Sequence, residues 1–147
     1  MKSFTALLLT AVLLVSACVS ARAVNGSDLS VQMVKDSANV AQVSAERCTF
    51  QCKYANRSEE KTVAGVDLVY MALDSDRNIS MNLTSQYIDL QIAPQSTKLS
   101  PLIYITNQRE LAYIVVGVQT VYFTDGTIEA IDFAHGETFT TAYFRVI

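Results

Sequence analysis

Ile79-Ser80-Met81-Asn82-Leu83-Thr84, followed closely by Tyr87-Ile88-Asp89-Leu90-Gln91-Ile92, alternates apolar and polar side chains residue by residue. A period of two puts one set of side chains on a core and the other in water, as an antiparallel sheet allows and a helix does not. The same alternation runs through Phe50-Gln51-Cys52-Lys53-Tyr54. Val63 to Leu73 and Ala112 to Phe123 are apolar on both faces, which predicts long central strands. Further strands are predicted at Leu102 to Thr106, Thr127 to Phe133 and Thr138 to Val146. Leu29 to Val43 fits helix and strand patterns equally.

The connections between these runs carry turn chemistry. Asp125-Gly126 joins Val121-Tyr122-Phe123-Thr124 to Thr127-Ile128, which predicts a type I′ hairpin with positive φ at both turn residues. Asn56 to Glu60, Asp74 to Asn78, Pro94-Gln95-Ser96 and His135-Gly136 separate the other apolar runs. Short strands at regular spacing predict an all-β fold, an antiparallel sandwich of about seven to nine strands, with a closed barrel as the rival. Gly65 to Tyr70 echoes Gly117 to Tyr122, a near-repeat that would fit equivalent strands in facing sheets or coincidence.

Phe50-Gln51-Cys52-Lys53-Tyr54-Ala55-Asn56, then Lys61 to Val66 and Leu68-Val69-Tyr70, resembles exported immunoglobulin-like or fibronectin-like sandwiches, in which an Asn-containing turn leads into a long strand. Val121-Tyr122-Phe123-Thr124-Asp125-Gly126-Thr127 is similar to the V-x-F-x-D-G-T hairpin of some small secreted bacterial domains of that kind. The chain has no Trp, and its cysteines are too close together for the inter-sheet bridge of antibody domains. The resemblance implies an architecture and supplies no function.

The N-terminus reads as an export signal. Lys2 is followed by the nearly continuous apolar run Phe4 to Val15 and by small residues at Ser16, Ala17, Ser20, Ala21 and Ala23. The run falls short of the roughly 20 apolar residues of a membrane span. Val15-Ser16-Ala17-Cys18 fits a lipobox, in which the cysteine is lipidated and becomes the new N-terminus; Ala21-Arg22-Ala23 fits ordinary signal peptidase, giving a chain that starts at Val24. The expected organisation is a signal segment over 1–23, an N-terminal tether or first element over 24–45, and a sandwich domain over 46–147.

Removing 23 residues leaves about 124, enough for one sizeable core. It also leaves nine basic against fourteen acidic side chains, a net charge of about −5 that speaks against nucleic acid as a partner. Cys48 and Cys52 remain, and an oxidising compartment favours a disulfide between them. In one unbroken strand their Cα atoms would lie about 13 Å apart, so a bridge requires a turn or bulge between Cys48 and Phe50. The alternative is a pair of buried thiols. Asn25, Asn56, Asn78 and Asn82 all stand in N-glycosylation sequons, which carry meaning only in a eukaryotic chain.

Candidate chemistry is sparse. His135 is the single histidine, and a carboxylate site around Asp125, Asp132 and His135 is the enzymatic alternative. Asp74-Ser75-Asp76-Arg77-Asn78 offers oxygen ligands suited to calcium through Asp74, Asp76 and Asn78, yet Ile79 and Ser85 stand where a calcium loop wants glycine and a carboxylate. Tyr87, Tyr104, Tyr113 and Tyr122 fall on strands where some must face outward. No cofactor is indicated. The expected function is an exported, non-catalytic module that binds a protein or glycan through its surface, touching a membrane only through a lipid on Cys18. A carrier of small apolar ligands is the alternative.

Overall fold

Extended chain dominates, as the alternation requires. The structure is a computed structural model that describes residues 21–131 and 141–146. Its strands are β1 (Ala21–Ala23), β2 (Val31–Ser44), β3 (Arg47–Asn56), β4 (Val63–Leu73), β5 (Ile79–Ile92), β6 (Thr97–Leu99), β7 (Ile103–Thr106), β8 (Tyr113–Phe123), β9 (Ile128–Ala130) and β10 (Thr141–Arg145), with one 3-10 turn at Gly26–Asp28. No α-helix occurs among the described residues.

Two sheets form. One runs β1-β9-β8-β4-β5, with β10 also on β8; the other runs β2-β3-β6, with β7 also on β3. Every pairing is antiparallel except β1 with β9. The count exceeds the expected seven to nine because short strands share one lane. β7 lies against Arg47–Phe50 and β6 against Lys53–Ala55 of the same β3. Likewise β10 and β9 follow one another along β8.

Period two decides what is buried. On β3, Cys48, Phe50, Cys52, Tyr54 and Asn56 point inward, while Arg47 and Lys53 are exposed. Val66, Leu68, Tyr70 and Ala72 of β4 and Ile114, Val116 and Val118 of β8 join them in one apolar cluster drawn from both sheets. Phe50 of one sheet meets Phe144 of the other at 5.5 Å between ring centroids.

One expectation is corrected and three open readings are resolved. β4 and β8 are neighbours in one sheet, with Val69 opposite Gly117, so the near-repeat does not mark facing sheets. The Asp125-Gly126 hairpin is a three-residue loop rather than a type I′ turn. Phe123 N–H donates to Thr127 O at 3.0 Å, Gly126 N–H donates to Phe123 O at 3.1 Å, and Gly126 has φ 86° while Asp125 does not reach positive φ. Asp125 selects this form by accepting from Thr127 N and Oγ1 at 2.9 and 2.6 Å, leaving glycine alone in the left-handed region.

The ambiguous Leu29–Val43 run is the edge strand β2. Its pattern is blurred because Lys35–Ala38 stand opposite Cys52 alone, and Ser37 Oγ takes the Lys53 N–H at 2.8 Å. Cys48 and Cys52 form no disulfide. β3 pairs with β7 in unbroken register through Cys48, Thr49 and Phe50, so the turn that a bridge needs is missing. Both thiols are buried and free; desolvation pushes Cys48 up to about 11 and raises Cys52 as well.

Candidate functional site

The two sheets share a loop end where residues 24–30, the β3–β4 turn, the β5–β6 turn and the β8–β9 hairpin converge. Asn56 ties them together. Its Nδ2 donates to the carbonyls of Lys61, Ile92 and Ala93 at 2.8, 3.1 and 3.1 Å, and its Oδ1 accepts from Ser58 N at 3.0 Å. Backbone bonds extend the tie: Arg57 N to Ser30 O at 2.7 Å, Asn56 N to Ser96 O at 2.8 Å, and Thr124 N to Thr62 O at 3.0 Å. Glu129 of β9 accepts from Ser30 N and Oγ at 2.8 and 2.7 Å, fixing the approach to β2.

Two open depressions of about 530 and about 340 Å³ lie on this end and share Arg22 and Ser30. Asn25, Ser27, Asp28 and Arg57 line the first; Ser58, Lys61, Thr127 and Glu129 line the second. Most of these polar groups are already engaged. Lys61 Nζ donates to Thr127 Oγ1 at 2.8 Å, sits 3.5 Å from Asp125 Oδ2, and lies 5.1 Å above the Phe123 ring. Bonds from Thr127 hold the Asp125 carboxyl below its ordinary range, with Lys61 adding to the effect. The Arg22 and Arg57 guanidiniums are exposed and have no side-chain hydrogen bond or ion pair to another described residue. Such planar forks bind carboxylates through paired N–H donors.

A second constellation lies on the outer face of the larger sheet. Tyr122 donates from its hydroxyl to Asp67 Oδ2 at 2.6 Å and packs edge-on to Tyr87 at 5.6 Å. The bond to Asp67, then desolvation, pushes Tyr122 up to about 12. The Tyr87 hydroxyl closes over Gly65, where a Cβ would collide with it and with the Ile88 carbonyl. At the other end of that face Tyr113 stacks on Tyr143 at 5.2 Å, with Arg77 5.9 Å from the Tyr113 ring. Tyr104 is exposed on β7 of the smaller sheet.

The remaining sequence candidates are scattered. Asp74 Oδ1 accepts from Asp76 N and Asn78 N at 3.0 and 2.8 Å, an Asx turn with Arg77 at φ 66°. No group of three or more His, Cys, Asp or Glu suited to a metal occurs among the described residues. Asp125 is exposed beside Lys61, while Asp132 and His135 lie outside the described residues, as do Cys18 and most of the expected signal segment. Asn25, Asn78 and Asn82 are exposed. Asn56 is 2% exposed with its amide nitrogen on three carbonyls, so the folded domain has no room for a glycan there. The sequence marks Asn56 only as a sequon, and Arg22 only as the middle of the small-x-small motif of one of two cleavage sites. Only the Asn-containing turn of the immunoglobulin-like resemblance hinted at the former.

No family model matches this chain, and no curated protein does. Among solved structures it is similar to a structural-genomics target, SoR45, at TM-score 0.44 and 7% identity over 81% of this chain and 88% of that one. It is also similar to the Pseudomonas fluorescens alkylpurine DNA glycosylase AlkC, bound there to DNA with an abasic site analog, at TM-score 0.39 and 15% identity over 82% of this chain and 31% of that one. The sporulation control protein Spo0M of Bacillus subtilis matches at TM-score 0.32 and 10% identity over 80% of this chain and 46% of that one.

Proposed function

We propose that this protein is an exported, non-catalytic interaction module, an immunoglobulin-like β-sandwich that meets a carboxylate-bearing protein or glycan at its loop end. One observation carries the reading: a polar, open cleft whose walls are fastened by Asn56 and Glu129 and whose two exposed guanidiniums, Arg22 and Arg57, are left without side-chain partners among the described residues. Fixed walls lower the ordering cost of binding, and unpaired guanidiniums supply directional donors. The lane order supports the immunoglobulin-like assignment. β2, β3 and β6/β7 make one sheet, and β5, β4, β8 and β9/β10 the other, so the chain crosses between sheets after β3, β5 and β7, which supports that architecture. The large depressions are polar and open rather than apolar and enclosed, which favours a surface partner over the small-ligand carrier.

Calorimetric titration of the mature chain with oligogalacturonate, a carboxylate-rich glycan probe, tests the reading. Saturable binding that weakens with salt and drops at least about tenfold in Arg22→Gln/Arg57→Gln is expected, since a lost charge-assisted pair is worth roughly 1.5–3 kcal/mol. Equal binding by the variant, or no binding by either protein at millimolar probe, refutes it.

A further inference from the structure

We infer that the export leader is cut between Ala17 and Cys18, so that the mature chain keeps Ala21-Arg22-Ala23 as a strand of the fold. The inference rests on the export reading and resolves which of two competing cleavage motifs is used. Both are present in the sequence, but only one yields the folded unit that the structure describes.

The tripeptide after which ordinary signal peptidase would cut is β1 itself. Ala21 pairs with Ile128, Arg22 with Glu129 and Ala23 with Ala130, in parallel register. β9 is only three residues long, and β1 covers the edge that β8 leaves open. Val24 continues the strand's bonding by donating its backbone N–H to Ala130 O at 3.0 Å, and its residue is 6% exposed. Leu29 and Val31, both buried, follow after the 3-10 turn.

Cleavage after Ala23 would undo this arrangement at three points. It removes β1 and bares the polar edge of β9, whose Glu129 side chain holds Ser30. It converts the Val24 amide into an α-ammonium at a buried residue, where Ala130 O is the acceptor at hand and a desolvated charge is costly. It also discards Arg22, which lines both depressions of the loop end. Hydrolysis of the Ala17–Cys18 bond has none of these consequences. Water adds across that peptide bond, leaving a carboxylate on Ala17 and the new α-amine on Cys18, three residues ahead of β1.

The full chain Met1–Ile147, expressed in an exporting Gram-negative host, is recovered from envelope and soluble fractions for intact-mass analysis and N-terminal sequencing. A product beginning at Cys18, bare or carrying acyl groups, is expected, and Ala23→Leu, which blocks the small-x-small site, should leave the product's start unchanged. A chain beginning at Val24, or arrest of processing by Ala23→Leu, overturns the inference while the export reading stands. A chain still beginning at Met1 overturns both. In the purified wild-type protein the Val24 amide should exchange as slowly as the β8–β9 amides; exchange at the unstructured rate shows that β1 is not held and also overturns the inference.

Discussion

Replacing Asn56 with alanine should damage the fold far more than any other sequon substitution. Its side-chain amide carries two hydrogens shared among three carbonyl oxygens, and its oxygen accepts from Ser58 N. The residue is 2% exposed, and the bond to Ile92 O is fully buried, so water cannot replace every partner. Three effective bonds at a net value of about 1 kcal/mol each give a loss of about 3 kcal/mol. That is a large share of the roughly 5–15 kcal/mol that keeps a domain folded, and it corresponds to a fall in Tm of about 10 °C. Asn56→Asp should be worse at neutral pH, because a carboxylate would face three carbonyl oxygens. Burial raises the folded-state pKa of that acid above its unfolded value, so the folded state binds the proton more tightly. The variant is then most stable below the unfolded pKa of about 4 and loses stability as pH rises. Urea unfolding followed by far-UV circular dichroism suits a chain without Trp, with exposed Asn82→Ala as the control, expected to lie within about 0.5 kcal/mol of wild type. An Asn56→Ala loss below about 1 kcal/mol, or one equal to the control, refutes the argument that Asn56 ties the loop end together.

Two further outcomes follow from buried or bonded groups. In a Cys18→Ser chain, Cys48 and Cys52 should resist a water-soluble thiol reagent in the folded protein at pH 8 and react fully in urea, since both are buried with pKa values pushed up by desolvation; rapid native labelling, or fewer than two reactive thiols in urea without reductant, contradicts this. Tyr122, held protonated by Asp67, should ionise near 12, so its bond contributes stability that is complete below the unfolded tyrosine value of about 10 and is lost as pH rises from there through 12. In an ultraviolet phenolate titration Asp67→Ala should move Tyr122 most, and Tyr87 with it, to lower pH, and an unchanged curve counts against the bond.

How much of this was legible beforehand depended on whether a residue acts through its own periodicity or through distant partners. β4 was readable to the residue because an apolar run bounded by turn residues has few other solutions. The two alternating runs Ile79 to Thr84 and Tyr87 to Ile92 belong to one strand, β5, whose pairing with β4 carries register shifts that alternation cannot announce. β1 leaves no local pattern: Ala21-Arg22-Ala23, small-x-small after an apolar run, looks like a cleavage site until Ile128–Ala130 arrives more than 100 residues later to pair with it. The loop end failed for the same reason. Asn56 reaches Ile92 and Ala93, and Glu129 reaches Ser30 across 99 residues, so neither contact leaves a local pattern. The disulfide expectation followed the compartment, whereas the unbroken β3 ladder obeyed geometry.

Nuclear magnetic resonance titration of the isotope-labelled Cys18–Ile147 chain with oligogalacturonate tests the central proposal most directly, because it shows where a carboxylate probe touches. The account predicts shifted amide signals clustered at Arg22, Ser27 to Ser30, Arg57 to Lys61 and Glu129. Shifts centred on Asp67, Tyr87 and Tyr122, or none at saturating probe, would contradict it.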